Sequence, residues 1–527
     1  MRLLRSPRLM LILFVVLLAA PAWVTTAVLG AAAVAAAVRG LRGLAARERS
    51  RRPVPGQEVL LGTAGGGRRI SLDERELSAH GLILGASGSG KTTALLTILE
   101  QQIRRGLPVV AIDLKGSPTF TAQLAQAAAA AGRPFKLWTP DGPGFWNPLQ
   151  HGNATEGKDK LIASEHFSEP HYQRAAERYV QMLLRVLGHL HPGTPATLDE
   201  VVGLMDPKRL PGLLRQLPQD LADRVQDYRQ GLTSDQLSAI RGLQTRLAVI
   251  TESAAGGYLK PHGAETVDLR AALEGPEVVL FSLNSSRYGK FAAQLGTLVV
   301  QDLISASGQR LEAQRSGDAP GLAVVAIDEF SAIGGEHVVA LFARGREAGI
   351  GVLVATQEMA DLAHAGRGVR DQVVGSTAFK LILRQEVPDS ARMVAELAGT
   401  ERVWEETRQI GGGVIFPGAA GRGTRRQVER FIIDPNQVKT LRTGEAVLIS
   451  RLGNRPPQVI WVTPMASAAP QPKPAADDRD RAGPTVAPPP RPHGRGADVR
   501  PESARAKRAA LSGRTPRSRY PDPGVTR

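Results

Sequence analysis

The residues with the clearest chemical purpose lie between Gly85 and Thr93, in the run Gly85, Ala86, Ser87, Gly88, Ser89, Gly90, Lys91, Thr92, Thr93. Gly85 followed by four residues and then Gly90, Lys91 and Thr92 is a complete Walker A motif. Its glycines let backbone N–H groups close around phosphate oxygens, Lys91 brings a point charge to the β- and γ-phosphates, and Thr92 offers a hydroxyl to Mg²⁺. The expected ligand is ATP with Mg²⁺. A Gly-rich turn can carry such a string by chance, but this one has an apolar run, Leu82–Leu84, before it and a helix-prone run, Ala94–Gln102, after it.

Further chemistry clusters at the ends of other apolar runs. Leu322–Ile327 ends in Asp328 and Glu329. This is a Walker B candidate in which Asp328 holds the Mg²⁺ shell and Glu329 polarises the attacking water, which points to hydrolysis as well as binding. Ile350–Ala355 ends in Thr356 and Gln357, a polar pair placed to sense the γ-phosphate. Val109–Ile112 ends in Asp113 and Lys115, at what would be the ligand edge of an open sheet. Arg344 and Arg346 precede Ile350. The bland account is a solvated basic helix end; the favoured one is an arginine finger, supplied by Arg344 or Arg346, reaching a neighbouring subunit's γ-phosphate, a role that can be worth about 10³–10⁵ in rate. His189 and His191 read as solvated loop residues, and no metal-ligand spacing occurs elsewhere.

The elements that must position these groups follow from the pattern. Short, continuous apolar runs alternating with helical stretches indicate parallel strands buried on both faces. The expected fold is α/β: a RecA-like P-loop NTPase with a mainly parallel sheet, an inserted all-helical subdomain, an N-terminal transmembrane helix and a disordered C-terminal tail. The insertion is read from residues 160–259. There Ala176, Tyr179, Leu183, Leu187 and Leu190 share a helical face, and Thr197/Glu200 and Thr233/Gln236 are capping-box pairs. Glu58–Leu61 and Arg69–Leu72 form a strand-rich lead-in. The expected segments are 1–52 (anchor and basic juxtamembrane stretch), 53–159 and 260–464 (two parts of the ATPase domain), 160–259 (helical insertion) and 465–527 (basic tail rich in Pro, Ala and Arg).

Charge is unevenly distributed. The net +16 of the 527 residues divides into +8 in 1–52, +7 in 471–527 and the remaining +1 between. The high pI therefore belongs to the ends, and bulk charge does not argue for nucleic-acid binding by the folded middle. There are no cysteines, hence no disulfides or thiolate metal sites. From Leu9 to Val38 no residue is charged. As a helix this stretch reaches about 43 Å, against the roughly 30 Å of a bilayer core. One tilted or Pro21-kinked span fits, a re-entrant hairpin is the variant, and a cleaved signal peptide is the rival. The arginines from Arg39 to Arg52 place the following body in the cytoplasm, at the inner membrane.

Together these motifs resemble the FtsK/HerA superfamily and, within it, the type IV coupling proteins of the TraG/TraD kind. The resemblance spans residues 56–464. It is carried by Gly85–Thr92, Asp113–Gly116, Trp146–Leu149, Ala326–Glu329, Arg344–Ile350, Thr356–Gln357, Leu381–Arg384, Ala398–Thr400, Gly444–Ile449 and Pro456–Pro457, and by the helical insertion between the Walker motifs. It implies a homo-hexameric ring with one ATP site per interface. It also implies delivery of relaxase-bound DNA, usually single-stranded, to a type IV secretion channel. Two other readings stand beside it: a coupling ATPase with protein cargo, and a non-catalytic ATP-gated membrane scaffold.

Overall fold

A computed structural model of the chain describes residues 58–464, apart from 166, 168, 316–320, 365, 367, 411–418 and 454. The expected membrane segment and the tail lie outside the described residues. No described helix is long and apolar enough to cross a membrane.

The strands, in chain order, are β1 (Val59–Ala64), β2 (Arg68–Leu72), β3 (Gly81–Leu84), β4 (Val109–Asp113), β5 (Phe135–Trp138), β6 (Phe145–Trp146), β7 (Thr266–Val267), β8 (Val278–Ser282), β9 (Ala323–Asp328), β10 (Ile350–Thr356), β11 (Phe379–Ile382), β12 (Thr400–Ile410), β13 (Ala419–Phe431), β14 (Glu445–Ser450) and β15 (Gln458–Val462). An 11-stranded sheet runs β2-β1-β15-β14-β11-β3-β10-β9-β4-β8-β5. From β11 to β5 every neighbouring pair is parallel; β14, β15, β1 and β2 extend the sheet in antiparallel fashion. The mixed α/β core thus joins a parallel centre to an antiparallel edge.

The continuous apolar runs are central strands because both faces are covered. Val109–Asp113, Ala323–Asp328 and Ile350–Thr356 are buried at every position. On one face Leu95, Ile98, Leu99 and Ile103 of the helix Lys91–Arg104 pack against Ile83, Ala111 and Leu353; on the other, Leu298 and Leu303 of the helix Lys290–Arg315 pack with Val110, Ile112 and Val325.

Between β5 and β8 the chain leaves the sheet. Its helices Ala154–Ala163, Pro170–Leu190, Leu198–Leu204, Gln219–Gln230 and Ser234–Thr251 form the helical insertion, whose base is the short parallel pair β6/β7. The first of these helices straddles residue 160. Ala176, Tyr179, Leu183 and Leu187 are buried together with Ile240, Leu243, Leu247 and Ile250, and both capping boxes form. At the insertion's root Lys160 Nζ lies 2.7 Å from Asp302 Oδ1 and donates to Pro148 O at 3.1 Å and His151 O at 2.9 Å. Trp146 Nε1 donates to Asp302 Oδ2 at 2.9 Å.

His80 ties the start of β3 to its neighbours. It is buried, with φ 67°. Val352 N donates to its Nδ1 at 3.1 Å, so the ring proton sits on Nε2, which donates to Phe342 O at 2.9 Å. Burial lowers its pKa from 6.5 to about 4; the Phe342 carbonyl opposes the shift and Arg346 adds to it. A second ring proton would face the Val352 N–H. The stability contributed by neutral His80 is complete above pH 6.5 and is lost as pH falls toward 4. By linkage the loss is roughly 3 kcal/mol. Melting curves of the wild type and of His80→Asn, a residue that tolerates this backbone region, should converge between pH 7 and 4. A gap constant across that range would overturn the assignment.

Candidate nucleotide site

β3 runs into the phosphate loop at the C-terminal edge of the parallel strands. Gly85 N donates to Gln357 O at 3.0 Å and Ala86 N to Arg384 O at 2.9 Å, so the ends of β10 and β11 hold the loop's first residues. A Cβ on Gly85 would lie 2.4 Å from Ser89 Oγ. Gly88 (φ 74°) and Gly90 (φ 104°) take backbone conformations that disfavour side chains. The helix Lys91–Arg104 then starts at Gly90 with no side-chain cap, which leaves its first N–H groups for an anion. Ser87, Gly88 and Thr93 are exposed, whereas Ser89 is buried and its hydroxyl has no partner among the described residues.

β9 brings the acids to the same edge. Lys91 Nζ lies 3.4 Å from Glu329 Oε2 and 3.4 Å from Gly85 O. Thr92 Oγ1 donates to Asp328 Oδ2 at 3.4 Å. Gln357 Nε2 donates to Glu329 Oε1, and Thr356 Oγ1 donates to Ser331 Oγ at 3.0 Å. Glu329 is held at φ 60°, ψ 40°, a strained conformation of the kind that clusters at working sites. The Asp328 carboxyl is raised to about 6, chiefly by burial, against the pull of Lys91 and with Asp113 and Glu329 adding to the rise. Its Oδ1 is buried without a partner among the described residues.

Those features fit MgATP. An uncapped helix start, two left-handed glycines and a lysine suit a triphosphate, and an orphaned carboxylate oxygen beside a threonine hydroxyl suits a hard cation. Thr92 and Asp328 would hold Mg²⁺, which when bound offsets phosphate charge. Lys91 would bind the β- and γ-phosphates, Glu329 would take a proton from water, and Gln357 would orient Glu329.

Two expected groups are arranged differently. Asp113 registers against Asp328 across β4 and β9, but its carboxylate is spent locally, accepting from Lys115 N at 2.9 Å and Ser117 N at 2.6 Å. Burial raises its pKa, against those hydrogen bonds. It shapes the turn beside the site, and Lys115 is exposed. Arg344 and Arg346 sit before β10, at the opposite edge of the sheet; the seven residues of that strand put them about 20 Å from the phosphate loop at roughly 3.3 Å per residue. Both are exposed, and neither belongs to the site of its own chain.

A clasp that no sequence pattern signals closes over the loop. Gly444 N donates to Ser89 O at 3.0 Å and Thr443 Oγ1 to Gly88 O at 3.3 Å. The buried side chain of Gln385 binds Met359 N at 3.2 Å and Gln357 O at 3.0 Å, linking the loops after β10 and β11. The Thr443 contact joins residues 355 positions apart and the Gln385 contacts join residues 26 and 28 apart, and none carries a local signal. The neighbouring Gly444–Ile449 and Leu381–Arg384 runs were noted only through the resemblance.

Comparison with known proteins agrees with this geometry. Residues 323–443 match the family described as "TraM recognition site of TraD and TraG", and residues 41–104 match the FtsK/SpoIIIE family. No curated relative matches the sequence. Among solved structures, the bacterial conjugative coupling protein TrwBdeltaN70 in its unbound monoclinic form is similar at TM-score 0.59 and 15% identity, over 80% of this chain and 92% of that one. The plasmid coupling protein TrwB in complex with ADP and Mg²⁺ is similar at TM-score 0.57 and 15% identity, over 79% and 90%. Its complex with the ATP analogue ADPNP follows at TM-score 0.54 and 15% identity, over 80% and 93%. At this identity the likeness carries the fold: the chain shares the fold of conjugative coupling proteins, with a TraG/TraD-type match over residues 323–443 and an FtsK/SpoIIIE-type match over residues 41–104.

Proposed function

We propose that this protein is a membrane-anchored coupling ATPase that hydrolyses ATP to deliver relaxase-bound, single-stranded DNA into a type IV secretion channel, working as a homo-hexamer. The observation that carries the proposal is the Lys91–Glu329–Gln357 site on a RecA-like sheet whose strands β5 and β8 are separated by a helical insertion. Residues 1–52 supply the anchor at the inner membrane, with the ATPase body on the cytoplasmic side. In the ring, Arg344 or Arg346 reaches the γ-phosphate bound by the neighbouring subunit. Their exposure at the edge of the sheet away from their own phosphate loop suits a role in trans.

The near-neutral middle of the chain favours one second reading, protein cargo. ATP turnover by the full-length protein, titrated with single-stranded DNA at rising salt, separates the two. Stimulation that falls steeply with salt supports DNA. Turnover unchanged by single or double strands sinks the DNA reading and supports protein cargo.

A further inference from the structure

The turn before β14 does more than close over the phosphate loop. Gly444 N is bonded to Ser89 O, and a Cβ on Gly90 would lie 3.4 Å from Gly444 N. Gly444 O accepts from Val462 N at 2.8 Å, so the turn is held between the phosphate loop and the end of β15. A Cβ on Gly444 would lie 3.8 Å from both Cε2 and Cζ2 of Trp461. One glycine therefore separates the phosphate-loop backbone from an indole.

Trp461 is 46% exposed. Strand alternation explains its direction: Ile460 and Val462 are buried in the core under the helix Lys91–Arg104, and Trp461, between them, faces outward. Its cross-strand partners are Thr63 of β1 and Glu445 of β14. The other exposed tryptophan among the described residues, Trp404, has the Arg425 guanidinium 5.1 Å over its ring. Among the described residues no cation covers Trp461. A large flat apolar surface is thus left bare beside a phosphate-binding loop.

We propose that Trp461 is the platform on which the base of the bound purine nucleotide stacks. The inference rests on the reading of Gly85–Thr92 as a triphosphate site. A nucleotide whose phosphates occupy that loop must place its sugar and base beyond the loop's rim, and the turn at Thr443 and Gly444 leads from that rim to the indole. Every base offers a π-face, so stacking holds ATP and GTP alike and contributes affinity without choosing between them.

Calorimetric titration of the full-length protein with MgATP, MgGTP and magnesium tripolyphosphate tests this. Trp461→Ala should weaken ATP and GTP about tenfold and leave tripolyphosphate, which has no base, within twofold. Trp461→Phe should keep most of the ATP affinity. Unchanged ATP affinity in Trp461→Ala would overturn the proposal, as would a proportional loss for ATP and tripolyphosphate, which would mean a distorted phosphate loop. A wild-type protein that binds neither ATP nor tripolyphosphate would overturn the phosphate-site reading and this one with it.

Discussion

Glu329→Gln should bind MgATP and fail to turn it over. The substitution keeps the shape of the side chain and the contact to Gln357 while removing the carboxylate proposed to accept a proton from water, a loss worth about 10²–10⁴ in rate. In the wild type the Glu329 carboxylate also lies 3.4 Å from Lys91 Nζ, so it shares that ammonium with any incoming phosphate. Neutralising Glu329 leaves Lys91 free for the nucleotide, and ATP affinity should hold or rise while kcat collapses. Lys91→Ala should differ in kind: the charge on the phosphates goes, and binding is lost together with turnover. DNA transfer between cells should be abolished by either variant, with membrane insertion intact. Turnover by Glu329→Gln within threefold of wild type would remove Glu329 from the chemistry, and undiminished transfer by both variants would end the motor reading.

The contrast between Lys91 and Arg346 shows how much of this site was legible in the sequence. Lys91, Thr92, Asp328, Glu329 and Gln357 each end or follow a continuous apolar run, and a parallel sheet brings the ends of such runs to one edge. Their meeting follows from the pattern alone. The arginines precede a strand, so the same rule puts them at the far edge. Asp113 obeys the rule in position but not in role, because its carboxylate caps the turn that follows it, and sequence pattern does not say where a carboxylate finds its donors. The β1/β2 lead-in and the four apolar runs named from sequence are strands. β5 and β11 were not named as strands because their apolar runs are short and interrupted by Lys136 and Lys380, whose charge hides a strand from periodicity. Lys380 is nonetheless buried, its ammonium donating to Thr377 O at 2.8 Å. The clasp at Thr443 and Gly444 is illegible in the sequence because it depends on β14 pairing antiparallel with β11, which brings the start of β14 to the phosphate-loop end of the sheet.

The largest structural effect expected lies away from the nucleotide, at the root of the insertion. Lys160 and Asp302 have side chains 2% and 5% exposed, and each is satisfied only by the other and by its immediate neighbours. Lys160 spends its remaining protons on Pro148 O and His151 O, and Asp302 spends its second oxygen on Trp146. Asp302→Ala leaves a buried ammonium with two carbonyls and an indole N–H with nothing; Lys160→Met leaves a buried carboxylate facing one N–H. Breaking such a pair from either side costs about 3–5 kcal/mol, whereas replacing both partners by apolar groups of similar volume is far gentler. Each single variant should therefore melt well below the wild type, and Lys160→Met with Asp302→Leu should recover part of the loss, a non-additivity expected of groups in contact. The pair joins the first insertion helix, Ala154–Ala163, to the helix Lys290–Arg315, which precedes β9, the strand that ends in Asp328. Proteolysis of the single variants should cut first within the insertion while the sheet stays protected. If the double variant were no more stable than the sum of the two singles, the buried charge would not be what holds the insertion to the ATPase core.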